Sequence, residues 1–300
     1  DTPFFLAVGF FRPHTPFVAP KKYFDLYDRE KIKIPEITND YLATLPEPAV
    51  KSIRAQKNQL NLEKELAQEI KEAYYATISF VDAQVGRILD QLEACGLDKN
   101  TVVVFTSDHG YHLGEHGHWQ KQTLFENATR IPLIISVPNS ENKGVKSMSP
   151  VELVDLYPTL MQLTNIKTPR HVVGKSLEPL MKNVNASVRG SALTRWRNAY
   201  SIKTKRYRLT KWGSNGELGY ELYDHKNDKK ELINLARNQD YNELMDSLKL
   251  VIEQRIAEAS IKPEGLGRQF ENAKPMYKAK NITFGDIHDT NGEILYFKKK

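Results

Sequence analysis

Residues 101–121 read Thr101-Val102-Val103-Val104-Phe105-Thr106-Ser107-Asp108-His109-Gly110-Tyr111-His112-Leu113-Gly114-Glu115-His116-Gly117-His118-Trp119-Gln120-Lys121. The stretch opens on a short β-branched apolar run that reads as a central parallel strand. It then turns polar at once, through Asp108, His109 and Gly110. In open α/β sheets the carboxyl ends of the strands form the ligand crevice, so Asp108 and His109 are expected at its mouth, with Gly110 letting the backbone turn away. Four of the chain's eight histidines lie between His109 and His118. That density marks this segment as the one carrying chemistry.

Asp108 offers a hard oxygen ligand and His109 an imidazole nitrogen. Together they fill two positions on a divalent cation; Ca²⁺ or Mg²⁺ needs six or more ligands in total, so the rest must come from elsewhere. Lys121, beyond the turn, can point an ammonium group at an anion. Prolines on both sides stiffen the loop around His14 (Phe11-Arg12-Pro13-His14-Thr15-Pro16-Phe17), and this histidine can reach the same crevice as proton donor or oxyanion ligand. Blander readings stand beside these. Asp-His-Gly at a strand end also fits a plain turn with Asp capping the next amides. A histidine between prolines also fits a structural role, and at least two of His112, His116 and His118 are expected to be exposed loop residues.

Outward from this segment, Glu63–Cys95 is the clearest helix. Leu66, Ile70, Tyr74, Ile78, Val81, Val85, Ile88 and Leu92 recur at three- and four-residue steps, and Gly96 fits the helix-ending position. Phe4–Phe10 reads as a buried strand, Ile131–Val137 as another and Val151–Leu163 as a helix. This order argues for an α/β layered core. After about residue 190, Ala199–Thr204, Tyr207–Trp212 and Tyr220–Tyr223 look like strands of a small antiparallel sheet, followed by an amphipathic helix over Tyr241–Ala257. Residues 262–300 are polar and basic, with a strand-like piece at Ile294–Phe297. The expected domains are 1–190 (α/β), 191–262 (antiparallel sheet plus helix) and 263–300 (basic tail).

Of the 300 residues, 40% are hydrophobic and 27% charged, which excludes a wholly disordered chain. No apolar run is long enough for a membrane span. The single cysteine, Cys95, excludes an intrachain disulfide framework and a multi-cysteine zinc site. The net charge of +6 suits an acidic substrate, but the basic residues are too dispersed to argue for nucleic acid. The chain opens directly on an apolar strand pattern, and the sequence looks cut out of something longer.

These motifs in this order resemble the C-terminal portion of a type I sulfatase, of the alkaline phosphatase-like superfamily, nearest its iduronate-2-sulfatase-like branch. The resemblance rests on residues 3–10, Arg12–Phe17, Tyr74–Leu92, Phe105–Lys121, Ala128–Ile134, Val151–Leu160 and Glu221–Asp224, and covers roughly 1–236. It implies an alkaline phosphatase-like mixed sheet sandwiched by helices. It also implies Asp108 and His109 as Ca²⁺ ligands, Lys121 on the sulfate group and His14 on the sulfate or leaving oxygen. Many sulfatases have Asn where His109 stands, and the family usually writes Lys where Arg12 precedes Pro13-His14.

The departures from the family pattern matter as much. Its formylglycine arises from a Cys/Ser-x-Pro/Ala-x-Arg motif, and Cys95, in Ala94-Cys95-Gly96-Leu97-Asp98, does not match it. Its paired N-terminal aspartates have no counterpart here either. The expectation is therefore that this chain alone hydrolyses nothing and holds Ca²⁺ weakly. An N-terminal sulfatase segment, from the same gene or a separate chain, would then supply the nucleophile. His118, Trp119, Arg195 and Trp196 are candidates for contacts to a sulfated glycan, an aromatic face for a sugar ring and an Arg for a carboxylate. Alternatives are a phosphodiesterase or phosphonate hydrolase of the same superfamily, and a non-catalytic polyanion-binding fragment. Family analogy points to a secreted, periplasmic or lysosomal protein.

Overall fold

The computed structural model describes residues 2–140 and 142–261, together with the backbone of two short strands, Ile287–His288 and Ile294–Leu295. The rest of the basic tail lies outside the described residues. The front of the chain carries three short helices, α1 (Lys21–Phe24), α2 (Asn39–Ala43) and α3 (Glu47–Ile53), before the long helix α4 (Lys64–Ala94). Then come β1 (Val103–Thr106), α5 (Glu126–Thr129), β2 (Leu133–Ser136), α6 (Leu156–Leu163) and α7 (Glu178–Lys182). Strands β3 (Ser191–Trp196), β4 (Ala199–Thr204), β5 (Tyr207–Lys211) and β6 (Tyr220–Asp224) precede helix α8 (Asn242–Ser260), and β7 (Ile287–His288) pairs antiparallel with β8 (Ile294–Leu295).

Helix α4 ends as its sequence predicts. Gly96 takes φ +67°, its N–H donates to Glu93 O (2.7 Å), and Leu97 N–H reaches back to Leu92 O (3.1 Å), a complete Schellman closure. Its buried face is not the apolar stripe, however. Ala67, Gln68, Lys71, Glu72, Ala76 and Thr77 are buried, whereas Leu66 and Ile78 are exposed. The polar members of that face bond the chain that crosses them: Gln68 Nε2 donates to Ile32 O (2.9 Å), Lys71 Nζ to Lys33 O (3.1 Å), and Arg29 pairs with Glu72 (2.7 Å).

Two strand expectations are corrected. Segment 4–10 forms no strand and has no ladder partner among the described residues, and its side chains are exposed, Phe5 at 84%. Strand β1 is not parallel: it pairs antiparallel with β2, Val103 opposite Ser136 and Thr106 opposite Leu133. Both strands leave apolar side chains bare, among them Phe105 and Ile134. Local pattern reports that a strand is apolar on both faces; it does not report which neighbours flank it.

The four-stranded sheet β3-β4-β5-β6 is antiparallel throughout and is covered on both faces. Alternation divides it cleanly. Ile202, Leu209 and Leu222 meet Met245, Leu248 and Ile252 of α8. Ala199 and Tyr223 face Tyr41, Leu45, Ala49 and Ile53 from α2–α3 and join Phe125 in a second core. Residues 1–168 and 174–261 form one compact unit. Within it Glu152 accepts from Arg189 (2.6 Å), Arg255 (2.7 Å) and the Leu193 N–H (2.6 Å), tying the start of α6 to β3 and α8.

Candidate functional site

The segment after β1 folds into a closed loop. Gly110 N–H donates to Ala128 O (2.8 Å), His112 N–H to Gln120 O (2.8 Å) and Gly114 N–H to His118 O (2.9 Å). Residues 112 and 114 therefore lie across from 120 and 118, and Lys121 follows Gln120 at the base of the loop. Tyr111 stacks on Tyr74 (5.3 Å between ring centroids) and meets Phe17 edge-on (6.1 Å). Phe17 closes the proline-flanked loop, so this packing anchors the His14 loop beside the base of the 107–121 loop. His14 itself is exposed, with its Nδ1 on Thr15 O (2.8 Å).

Asp108 is exposed, and its Oδ2 stands 3.7 Å from His109 Nε2. The other ring nitrogen, His109 Nδ1, lies 2.7 Å from Gly110 O. A carbonyl only accepts, so Nδ1 carries the proton and Nε2 presents its lone pair beside the carboxylate. Two ligands at right angles on a Ca²⁺ ion at about 2.4 Å would be roughly 3.4 Å apart. The pair thus fits two positions on a hard cation, and the backbone already fixes the imidazole tautomer that such a role needs.

The other histidines overturn the expectation of exposure. His112, His116 and His118 are at most 2% exposed. His112 Nε2 meets Thr123 Oγ1 (2.8 Å), His116 stacks on Phe125 (3.9 Å) and bonds Tyr41, and His118 Nδ1 meets Ile53 O (2.9 Å). Burial pushes all three down the pH scale, His116 to about 4, so they are neutral core groups. Trp119 is likewise buried, packed with Ala67 and Leu113. His118 and Trp119 therefore do not present the expected aromatic face to a sugar, because both are consumed by the core of the loop that carries them. Arg195 is exposed on β3, its Nε on Arg197 O (2.9 Å) and its guanidinium over Tyr200; Trp196 packs edge-on against Trp212.

Sequence reading missed the group that holds this site from behind. Glu126, His225 and Glu231 converge closely enough to resemble a metal triad. Buried Arg208 already occupies it: Nε donates to Glu231 Oε1 (2.6 Å), a terminal nitrogen to Glu126, and another to Ser201 Oγ (3.1 Å), while His225 Nε2 meets Glu231 (2.7 Å). Burial alone would raise the Glu231 pKa, but the Arg208 charge and the His225 bond outweigh it and hold the carboxylate ionised. A dication here would sit against a buried guanidinium, so the cluster is an ion-pair clamp. It fixes α5, whose Ala128 carbonyl in turn holds Gly110. Its members lie up to 105 residues apart in the chain, and no local motif announces it.

The sequence matches the sulfatase family over residues 1–166 and the C-terminal region of N-sulphoglucosamine sulphohydrolase over 114–258. A sulfatase of Formosa agariphila is 37% identical over 254 residues, covering 83% of this chain and 49% of that protein. Human iduronate 2-sulfatase is 34% identical over 203 residues, covering 56% and 37% respectively. The structure of BT4656 in complex with its substrate D-glucosamine-2-N,6-O-disulfate superimposes with a TM-score of 0.62 at 27% identity, over 71% of this chain and 46% of that one. The alkaline phosphatase-like fold implied by the sequence is the fold shared with these neighbours. The chain spans about half the length of the relatives it matches.

Proposed function

The chain belongs to the sulfatase family, and from that membership we infer that it forms part of a sulfuric-ester hydrolase acting on a sulfated glycan. The observation that carries the reading is the Asp108–His109 pair, one carboxylate and one lone pair 3.7 Å apart at the end of β1, with Lys121 across the same loop. In this reading Asp108 and His109 hold a calcium ion, which when bound offsets the charge of the sulfate group. Lys121 binds a sulfate oxygen through its ammonium group. His14 donates a proton to the leaving oxygen or holds a sulfate oxygen. Gly110 and α5 keep the Asp108–His109 turn in place. The nucleophile, a formylglycine, and the remaining cation ligands come from a segment outside these 300 residues. This chain by itself is inactive.

The sulfated-carbohydrate substrate is supported by the names of relatives, iduronate 2-sulfatase and N-acetylglucosamine-6-O-sulfatase among them. Export to the outside, the periplasm or the lysosome follows the same analogy; among the described residues no helix is long and apolar enough to cross a membrane. The test is sulfate release from an aryl sulfate by the complete gene product. Turnover that falls at least about a hundredfold in Asp108→Ala and in Lys121→Ala supports the reading. Undiminished turnover in both variants refutes it, and brisk turnover by the 300-residue chain alone refutes the division of labour.

A further inference from the structure

The four-stranded sheet is covered on both faces, and its Ile202, Leu209 and Leu222 are fully buried. The sheet β1–β2 is in the opposite condition. Val103 and Phe105 lie on one face of β1 and Val104 on the other; Ile134 lies on one face of β2, Leu133 and Ile135 on the other. Strands apolar on both faces belong inside a larger, covered sheet. Among the described residues, however, each of the two keeps one edge unpaired. Register sets Phe105 opposite Ile134, so the two share a face, and both are exposed, Ile134 at 60%. Neither strand holds a charged residue or a proline, the residues that commonly guard an open edge. A two-stranded ribbon alone is marginally stable at best, so this pair calls for further strands beside it.

Two more elements are bare in the same way. In segment 4–10, Phe4, Phe5, Leu6 and Val8 are all at least half exposed. In α4 the apolar stripe from Ile78 through Val81, Val85 and Ile88 to Leu92 has no buried member. Single apolar residues are ordinary on a surface; a strand pair, an apolar segment and a helix stripe patterned for burial are not. All three lie within residues 4–136, inside the stretch that matches the sulfatase family. The relatives carry about as much chain again outside the match. A second copy of this chain would bring to the pair only the same two four-residue strands, whereas the outside segment can bring new strands and a covering layer.

We propose that segment 4–10, the open edges and faces of β1–β2 and the Ile78–Leu92 stripe of α4 are docking surfaces for the enzyme's remaining segment, which adds apolar strands to β1–β2 and covers the helix stripe. The proposal rests on the reading that part of the enzyme lies outside these 300 residues, and it is independent of the ester the enzyme cleaves.

The test compares hydrogen exchange in the 300-residue chain and in the complete gene product. In the chain alone, residues 4–10 and the outer-edge amides of β1 and β2 should exchange at nearly the rate of an unstructured peptide. In the complete product they should slow at least about a hundredfold, while β4 and β5 stay protected in both. A substitution gives a second readout. Ile134→Asp places a charge on a face that is open in the chain alone, so the melting midpoint should be unchanged there and fall by about 5 °C or more in the complete product. Leu250→Asp, on α8 at 74% exposure, should leave both midpoints in place. Equal exchange of these segments in the two proteins overturns the proposal, as does an Ile134→Asp loss just as large in the chain alone, or a gene that encodes nothing beyond these 300 residues. Protection that grows with the concentration of the chain alone assigns the surface to a second copy and overturns it too. No turnover is read, so a failure of the hydrolase reading is seen separately, in the sulfate-release assay.

Discussion

Replacing Gly110 by alanine tests whether the Asp108–His109 turn is held by α5. A Cβ at this position would run into the Asn127 carbonyl oxygen and stand 3.0 Å from both Asn127 C and Arg130 O. These are backbone atoms and cannot swing aside. α5 cannot retreat cheaply either, because Glu126 N–H is bonded to Glu231 Oε2 (2.7 Å) and its carboxylate to Arg208. The turn must therefore shift, by something on the order of 1 Å to restore contact spacing, and lose the Gly110 N–H bond to Ala128 O. The bond contributes about 1 kcal/mol and the overpacking costs about 1–3, so a loss of about 2–4 kcal/mol is expected. In the complete enzyme a misplacement of that size costs up to about a hundredfold in turnover. Urea unfolding of the 300-residue chain reads the stability. Gly86→Ala is the control: within α4 its added Cβ meets nothing within 4 Å, and the change should stabilise by about 0.5–1 kcal/mol. A Gly110→Ala midpoint indistinguishable from the parent would refute the reasoning.

Two further outcomes follow from buried charge. Arg208→Met leaves Glu126 and Glu231 without their shared cation and should cost about 3–5 kcal/mol, and Arg208→Lys should recover little because one ammonium cannot fork to both carboxylates; thermal melts of the two variants check this. Glu221 is buried on the inner sheet face, where burial raises its pKa to about 7 despite bonds from Trp212 Nε1 (2.5 Å) and Tyr223 OH (2.7 Å). Its native state holds a proton that the unfolded chain releases near pH 4.5, so its contribution is complete below pH 4.5 and is lost as pH rises through 7, about 3 kcal/mol in all. Glu221→Gln should remove that slope from stability measured between pH 5 and 8, and an unchanged slope would sink the assignment.

What the sequence disclosed, and what it did not, divides along the range of the interactions involved. The ending of α4 at Gly96, the strands after residue 199 and helix α8 are set by local chemistry, and each lies where its pattern points. Strand β3 carries mixed residues and a half-buried pattern, so it gave no comparable signal. The orientation of β1 depends on β2, some thirty residues away, and the apolar 4–10 segment reads as buried although nothing among the described residues covers it. Asp108, His109 and Lys121 can be proposed together from sequence because one loop carries all three. The burial of His112, His116 and His118 cannot, since the groups that bury them come from Tyr41, Ile53 and Phe125. The Arg208 clamp is invisible for the same reason.

The most direct test of the metal-site account is a calcium titration of this chain followed by the ring-nitrogen resonances of His109. The prediction is saturable movement of the His109 Nε2 signal, with Nδ1 remaining protonated, and loss of that movement in Asp108→Asn. A His109 ring that ignores calcium, or responds identically when Asp108 is replaced, contradicts a cation site at the end of β1.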